Sequence, residues 1–333
     1  MNNSTVSNGT SRPLEYSWIS KVFGVILIPL ALGGFLGSLL CVWIICRGYN
    51  RQKTSSNLLF VNLCLATFLF CGLVCPFHIY GGIVQQAGFL ARRSAFGFCN
   101  FLALTHFTTL TASAYAHSAI AVNRLFAVVV SGRLHTLGKS KWFTWFSITA
   151  TWVISAATFA PPLFVVNITY GFSTESMKCT YTLTNSPTYV TMSKVINVLL
   201  PYVIMLVCYG WIFTKVWLSK HRLRGRGQRQ VGGLPPAVLK VNRSVMQVEI
   251  RITKNAFITC ATFFAFYLPT ALYGVTGRSR QELQSTLGIS LNYLWWTGCA
   301  VNPLVYAYLN SAMRGRISAW LFPDRIGPNG SST

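Results

Sequence analysis

Two polar stripes run through an otherwise apolar chain. His106, His117 and Arg124 are separated by 11 and 7 residues, a spacing that at about 100° per residue puts all three on one helix face. His106 and Arg124 are 18 residues apart, five helical turns or about 27 Å, so they mark the two ends of that face. Glu249 and Tyr267 repeat the 18-residue interval, with Phe263 near the same face. A third pair, Lys194 and Asn197, shares a face one turn apart. Hydrolytic chemistry would need a metal cluster or a nucleophile with an oriented base. No carboxylate stands at mating distance from either histidine in the sequence pattern, so no catalysis, metal or cofactor is expected. Ionisable groups inside apolar helices are costly in lipid and should face a bundle interior. The stripes therefore describe one axis joining an outer cavity to an inner charged surface.

The elements carrying these stripes are membrane helices. The 333-residue chain is 52% hydrophobic and only 10% charged, against about 25% charged residues in an average soluble domain. Its net charge of +23 does not mark a nucleic-acid binder, because the basic residues lie between apolar runs rather than on one soluble surface. A span needs about 20 apolar residues, and seven stretches qualify: 22–46, 58–84, 96–130, 142–166, 189–218, 250–275 and 287–309. The reading is all-α: a seven-helix transmembrane bundle. Lys and Arg fix its orientation. One set of loops and helix ends holds 20 of them, the other 7, and Lys194 lies within a span. The N-terminus is thus outside. Sequons at Asn3, Asn8 and Asn167 fall on that side and are glycosylation candidates, whereas Asn242 and Asn329 face inward. The expected organisation is an outer tail (1–20), the bundle (21–310), an amphipathic helix on the inner leaflet (311–322) built on Met313, Ile317, Trp320 and Leu321, and a short inner tail (323–333).

Several motifs recur in order along the spans. Asn123-Arg124-Leu125 closes the third, 25 residues after Cys99, and Trp152 precedes Pro161-Pro162 in the fourth. Pro201 and Tyr209 lie in the fifth, Phe263 and Tyr267-Leu-Pro269 in the sixth, and Asn302-Pro303-Leu-Val-Tyr306 in the seventh. On these residues the chain resembles the rhodopsin-like (class A) G-protein-coupled receptors over roughly residues 20–322. The Asn-Arg pair, Tyr-Leu-Pro and the Gly-Cys-Ala-Val-Asn-Pro run are further similar to the melatonin-like, medium-chain fatty-acid, moody and trapped-in-endoderm receptors.

The resemblance implies a plasma-membrane receptor that takes an extracellular ligand and engages a heterotrimeric G protein, and arrestin, at its inner face. It implies that Arg124 is locked by a neighbouring acid and by one on the sixth span. Here the neighbour is the neutral Asn123, which leaves Glu249 as the local counter-charge. A snorkelling arginine at a helix end is the plainer alternative. Pro201, Pro269 and Pro303 would be hinges, with Tyr209 and Tyr306 swinging toward Arg124 and Tyr267 replacing the family's tryptophan toggle. Cys99 and Cys179 match the family disulfide; the other eight cysteines lie within spans and read as packing thiols. The family's sodium site lacks its acid: Thr67 stands in the second span and Ser38 in the first, with Ser113 and Asn302 remaining. No allosteric sodium effect is expected.

For the ligand, the position of the amine-binding acid is occupied by His106. If Lys194 faces inward with His106 and Asn197, the cavity is electropositive, walled by Tyr267, Tyr273 and Trp296, and suits a small anionic or neutral ligand. If Lys194 snorkels to the headgroups, the cavity is merely polar. Membrane lipid is the other expected contact, through the arginine-rich third inner loop, which with its glycines and prolines reads as a mobile segment serving either topology or the G-protein dock. An opsin-like light sensor is disfavoured because the seventh span has no lysine, Trp296 standing where the Schiff base would form. A small-solute transporter is disfavoured by the absence of midspan acids and internal repeats.

Overall fold

The computed structural model describes residues 14–47, 54–85, 90, 92, 95–129, 133–165, 167–173, 177–226, 236–275, 286–310, 314–315 and 317–318. They form a helical bundle with one short hairpin. The first helix is Leu14–Arg47 and the third is Phe96–Val128. The second runs from Ser55–Leu69 through a π-helical turn, Phe70–Val74, into Cys75–Val84. The fourth is Lys141–Phe159, and the seventh is Thr286–Leu309. The fifth begins as Pro187–Lys194, passes a second π turn at Val195–Leu199 and continues as Leu200–Arg226; the sixth is Pro236–Val275. A short helix, Arg133–Lys139, crosses the inner face after the third.

Four of these helices are long and apolar enough to cross a membrane on length and composition alone: Trp18–Arg47, Ser55–Val84, Val195–Leu218 and Ile250–Tyr273. The third instead buries His106, Thr109, Thr111, Ser113, His117, Ser118, Asn123 and Arg124. The fourth satisfies its hydroxyls on its own backbone: Thr144, Ser147, Thr151 and Ser155 each donate to the carbonyl four residues earlier at 2.7–3.0 Å. Such hydroxyls lower mean hydropathy without exposing an unpaired donor to lipid. Large apolar side chains cover the outside, including Trp142, Trp145, Phe146, Leu206, Trp211 and Phe213. In a soluble protein this surface would be an aggregation hazard; around a membrane bundle it is the lipid face.

Two sequence expectations change. The third inner loop is largely helical, since the fifth helix continues to Arg226 and the sixth begins at Pro236. Pro236 suits a first helical turn, where its missing N–H costs nothing, and the run after it is rich in helix-compatible apolar residues. Residues 227–235, with part of the arginine-rich run, lie outside the described residues, as do Asn3, Asn8, Asn329 and most of the amphipathic stretch. The segment after the fourth helix, read as loop, is an antiparallel hairpin of β1 (Ile168–Ser173) and β2 (Lys178–Thr184), bulged between Thr169 and Tyr170. Asn167 opens it, exposed to solvent.

Close helix approach depends on small residues. A Cβ on Gly34 would stand 2.7 Å from the Ala300 carbonyl and 2.8 Å from Cys71 Sγ, so the first, second and seventh helices meet there only because the side chain is absent.

Candidate functional site

The outer half of the bundle encloses a cavity of about 210 Å³ among the third, fifth, sixth and seventh helices. Its wall includes Leu110, Thr111 and Ala114 from the third helix, Asn197 and Tyr202 from the fifth, Phe263, Tyr267, Thr270 and Tyr273 from the sixth, and Leu291, Asn292 and Trp295 from the seventh. Of the residues expected there, Asn197, Tyr267 and Tyr273 line it. His106 and Trp296 do not. The side chain of Lys194 lies outside the described residues.

Local backbone irregularity positions Asn197. It sits in the π turn just before Pro201, where Pro201 cannot donate to the preceding turn. The third helix takes up a carbonyl released there, Tyr115 OH donating to Ile196 O at 2.6 Å, and Ser118 Oγ adds a bond to Pro201 O at 3.1 Å. Asn197 Nδ2 donates back to Ser193 O at 2.9 Å, leaving its buried Oδ1 without a partner among the described residues. Tyr202 OH is likewise buried and unpartnered.

A ladder of rings runs from the cavity wall toward the inner end. His117 stacks on Phe263 at 4.4 Å, Phe263 on Tyr267 at 3.8 Å, and Tyr267 meets Trp295 edge-on at 5.4 Å. Trp295, not its neighbour Trp296, completes this wall, because adjacent helical residues point about 100° apart. Sequence reasoning missed Trp295 because two adjacent tryptophans give no periodicity to choose between them.

His106 belongs to a different cluster. His78 Nε2 and His106 Nδ1 are hydrogen-bonded at 3.2 Å, and His78 stacks flat on Trp296 at 4.2 Å. Lys178 of β2 holds its ammonium 4.9 Å from the Trp296 ring. The hairpin brings Lys178 there through the disulfide between Cys99 and the next residue, Cys179. Burial pushes the Lys178 ammonium down to about 8. Neither His78 nor Lys178 was singled out in the sequence: the first needed the π turn before Pro76, the second needed the hairpin register.

At the inner end Arg124 is buried, although arginine is almost never so unless paired. Its guanidinium donates to Asn123 Oδ1 at 2.8 Å and to Ser56 Oγ, and Ser56 Oγ donates to the same Asn123 oxygen at 3.1 Å. Asn123 Nδ2 donates in turn to Gly138 O at 2.7 Å, tying this cluster to the Arg133–Lys139 helix. The neutral Asn123, which the sequence suggested leaves Arg124 to Glu249, is itself a ligand of the guanidinium. The Glu249 side chain lies outside the described residues. Tyr209 OH meets Cys260 Sγ at 3.3 Å. Tyr306 stacks on Phe60 at 3.9 Å and accepts from Asn310 at 3.0 Å. Pro269 and Pro303 lie inside their helices.

The residues remaining at the family's sodium position are hydrogen-bonded within the bundle. Thr67 Oγ1 donates to Cys299 O at 3.2 Å, Ser38 Oγ to Gly34 O at 2.7 Å, and Asn302 Nδ2 to Ser113 Oγ at 3.2 Å. Asn302 Oδ1 is the buried oxygen left over. One amide oxygen with no carboxylate is a poor match for a hard cation that takes several oxygen ligands. Exchanging sodium for a bulky organic cation at constant ionic strength should leave ligand affinity unchanged; a sodium-specific shift in radioligand binding would contradict this.

The chain matches the model of the 7 transmembrane receptor (rhodopsin family) over residues 37–306. It is 22% identical to the Substance-K receptor of Canis lupus familiaris, over 96% of this chain and 83% of that one. It is 25% identical to the D(2) dopamine receptor A of Xenopus laevis, over 70% of this chain and 48% of that one, and 25% identical to G-protein coupled receptor 161 of Mus musculus, over 92% and 58%. Squid rhodopsin shares the fold with a TM-score of 0.76 across 98% of this chain and 94% of its own, at 14% identity. With the family model covering most of its length and the ordered motifs lying on the helices that form the cavity and bury Arg124, the chain belongs to the rhodopsin family of seven-transmembrane receptors.

Proposed function

We propose that this receptor is switched by a small, neutral, largely apolar ligand with hydrogen-bond donors, held in the cavity between the third, fifth, sixth and seventh helices. As a member of its family it is a multi-pass plasma-membrane protein, a G-protein-coupled receptor and not an enzyme. The observation that carries the ligand class is the wall itself. Aromatic and aliphatic side chains dominate it, and among the described residues Asn197 Oδ1 and Tyr202 OH stand buried without partners. A ligand donor reaching Asn197 Oδ1 would relieve a group that otherwise forfeits about 1–3 kcal/mol. The volume is below the usual range of about 300–1,000 Å³ for drug-sized ligands, which favours a compact molecule.

The wall also supplies a route for the signal. A ligand pressing on Tyr267 moves the ring ladder on the sixth helix, and that helix pivots at Pro269 and opens the inner face around Arg124 to the G protein. Tyr209 and Tyr306 then leave Cys260 and Phe60 for the space vacated. Amines are disfavoured because His106 stands at the position of the family's amine-binding acid. The relatives differ in the ligands that their names print, so none of those is carried over.

A membrane nucleotide-exchange screen of neutral indoles and amides, carboxylates, and protonated amines tests this reading. Neutral compounds should activate the wild type, with potency lowered about tenfold in Asn197→Leu, the equivalent of one lost hydrogen bond of about 1.4 kcal/mol. Activation by a protonated amine, undiminished in Asn197→Leu, would overturn it.

A further inference from the structure

We propose that Asn255 is a positioning residue of the receptor switch: its side-chain amide clasps the last carbonyl of the seventh helix and so holds the sixth helix closed at the inner face. The inference rests on the reading that the sixth helix pivots at Pro269. It adds a restraint separate from Arg124 and its partners.

A helix leaves its last four carbonyls without donors of its own. At the end of the seventh helix two neighbouring carbonyls are served from different places. Tyr308 O accepts from the Arg314 guanidinium, which follows on the same stretch of chain. Leu309 O accepts from Asn255 Nδ2 of the sixth helix at 2.9 Å, across 54 residues of sequence. The seventh helix is anchored at the same level. Tyr306 OH accepts from Asn310 Nδ2 at 3.0 Å and donates to Asn57 Oδ1 of the second helix at 3.4 Å, while its ring stacks on Phe60. In the closed arrangement Asn255 therefore ties the sixth helix to one that is itself fastened to the second.

Leverage decides whether that tie survives opening. Asn255 lies 14 residues before Pro269, about 21 Å along the helix axis. A pivot of about 2° at the proline already moves it about 0.7 Å, and one of about 10° moves it about 3.6 Å. An N–H···O contact stretched beyond about 3.5 Å is no longer a hydrogen bond. The Asn255 bond thus belongs to the closed state alone, and a contact made in one state alone shifts the balance toward it. Arg314 travels with the seventh helix and carries no such preference.

Basal nucleotide exchange by a panel of purified heterotrimeric G proteins, on receptor membranes without ligand and at matched surface density, reads this balance. Asn255→Ala should raise it about fivefold, the equivalent of about 1 kcal/mol. Asn255→Asp should raise it at least as much, because the carboxylate keeps the shape, loses the donor and faces the negative end of the seventh helix. A merely structural asparagine would lower surface density and exchange together when replaced. The near-isosteric Asp variant keeps the test decisive if the alanine variant folds poorly. Movement is followed separately with an environment-sensitive fluorophore on Arg251→Cys, an exposed position of the sixth helix, in a Cys46→Ser background. In Asn255→Asp its emission should stand nearer the G-protein-bound value before any G protein is added. Unchanged exchange and emission in both variants, with the wild-type label still responding to nucleotide-free G protein, would overturn the clasp and leave the pivot standing. A wild-type label that ignores the G protein would remove the pivot and the clasp with it.

Discussion

Replacing Arg124 by alanine should lower agonist-stimulated nucleotide exchange by about a hundredfold, the effect of losing a charge-assisted contact worth about 3 kcal/mol in a desolvated site. Surface expression and ligand affinity should change little, because the guanidinium lies at the end of the bundle remote from the cavity. The reverse effect should come from its restraints. Asn123 accepts from Arg124 and Ser56 and donates to Gly138, so Asn123→Ala removes one hydrogen bond to the arginine and two that hold the accepting amide in place. Basal exchange should rise about tenfold, the shift produced by about 1.4 kcal/mol of lost inactive-state preference. Glu249→Ala should also raise basal exchange if that acid is a second restraint from the sixth helix. Comparing the two variants at matched surface density separates the contributions. Basal activity unchanged in both would mean that Arg124 is a packing residue rather than a switch.

Cys179→Ser should abolish surface display at physiological temperature and destabilise any purified fraction by about 2–5 kcal/mol, the usual consequence of removing a native bridge. The Cys99–Cys179 bond closes a segment of 80 residues, and it is the covalent tie between β2 and the third helix. β2 also carries Lys178 to Trp296 and Tyr181 to the ring cluster of Phe107 and Tyr170. Freed of the bond, the hairpin keeps Tyr170 OH donating to Phe159 O of the fourth helix and Tyr181 OH hydrogen-bonded to Tyr189 OH of the fifth. Cys99→Ser should match Cys179→Ser, and the double variant should be no worse than either. Peptide mapping of mature surface receptor that found both thiols free would refute the pairing.

The bundle was legible because lipid imposes a constraint that composition records directly. A span must be apolar over about 20 residues and satisfy its backbone internally, so helix number and orientation follow from hydropathy and the placement of lysine and arginine. The stripe of His106, His117 and Arg124 was legible for the same reason, because a polar residue in such a helix has one direction in which to face. The disulfide followed from family resemblance, since the sequence alone only separates Cys99 and Cys179 from eight cysteines within spans.

What the tertiary structure decided lies where the helices depart from 3.6 residues per turn or where the chain leaves the membrane. The π turn at Phe70–Val74 rotates everything after it and sets His78 against His106, and that at Val195–Leu199 sets Asn197 at the cavity. A single extra residue in a turn redirects all later side chains, and no periodicity count detects it. Lys178 is a loop residue by sequence; the hairpin register and the bond at Cys179 make it a half-buried cation over Trp296. Asn123 looked like a missing acid and became the ligand of Arg124, because an amide oxygen at 2.8 Å accepts the same proton a carboxylate would. Sequence determined which groups had to leave the lipid; packing chose their partners, since that depends on distances between helices that no single helix encodes.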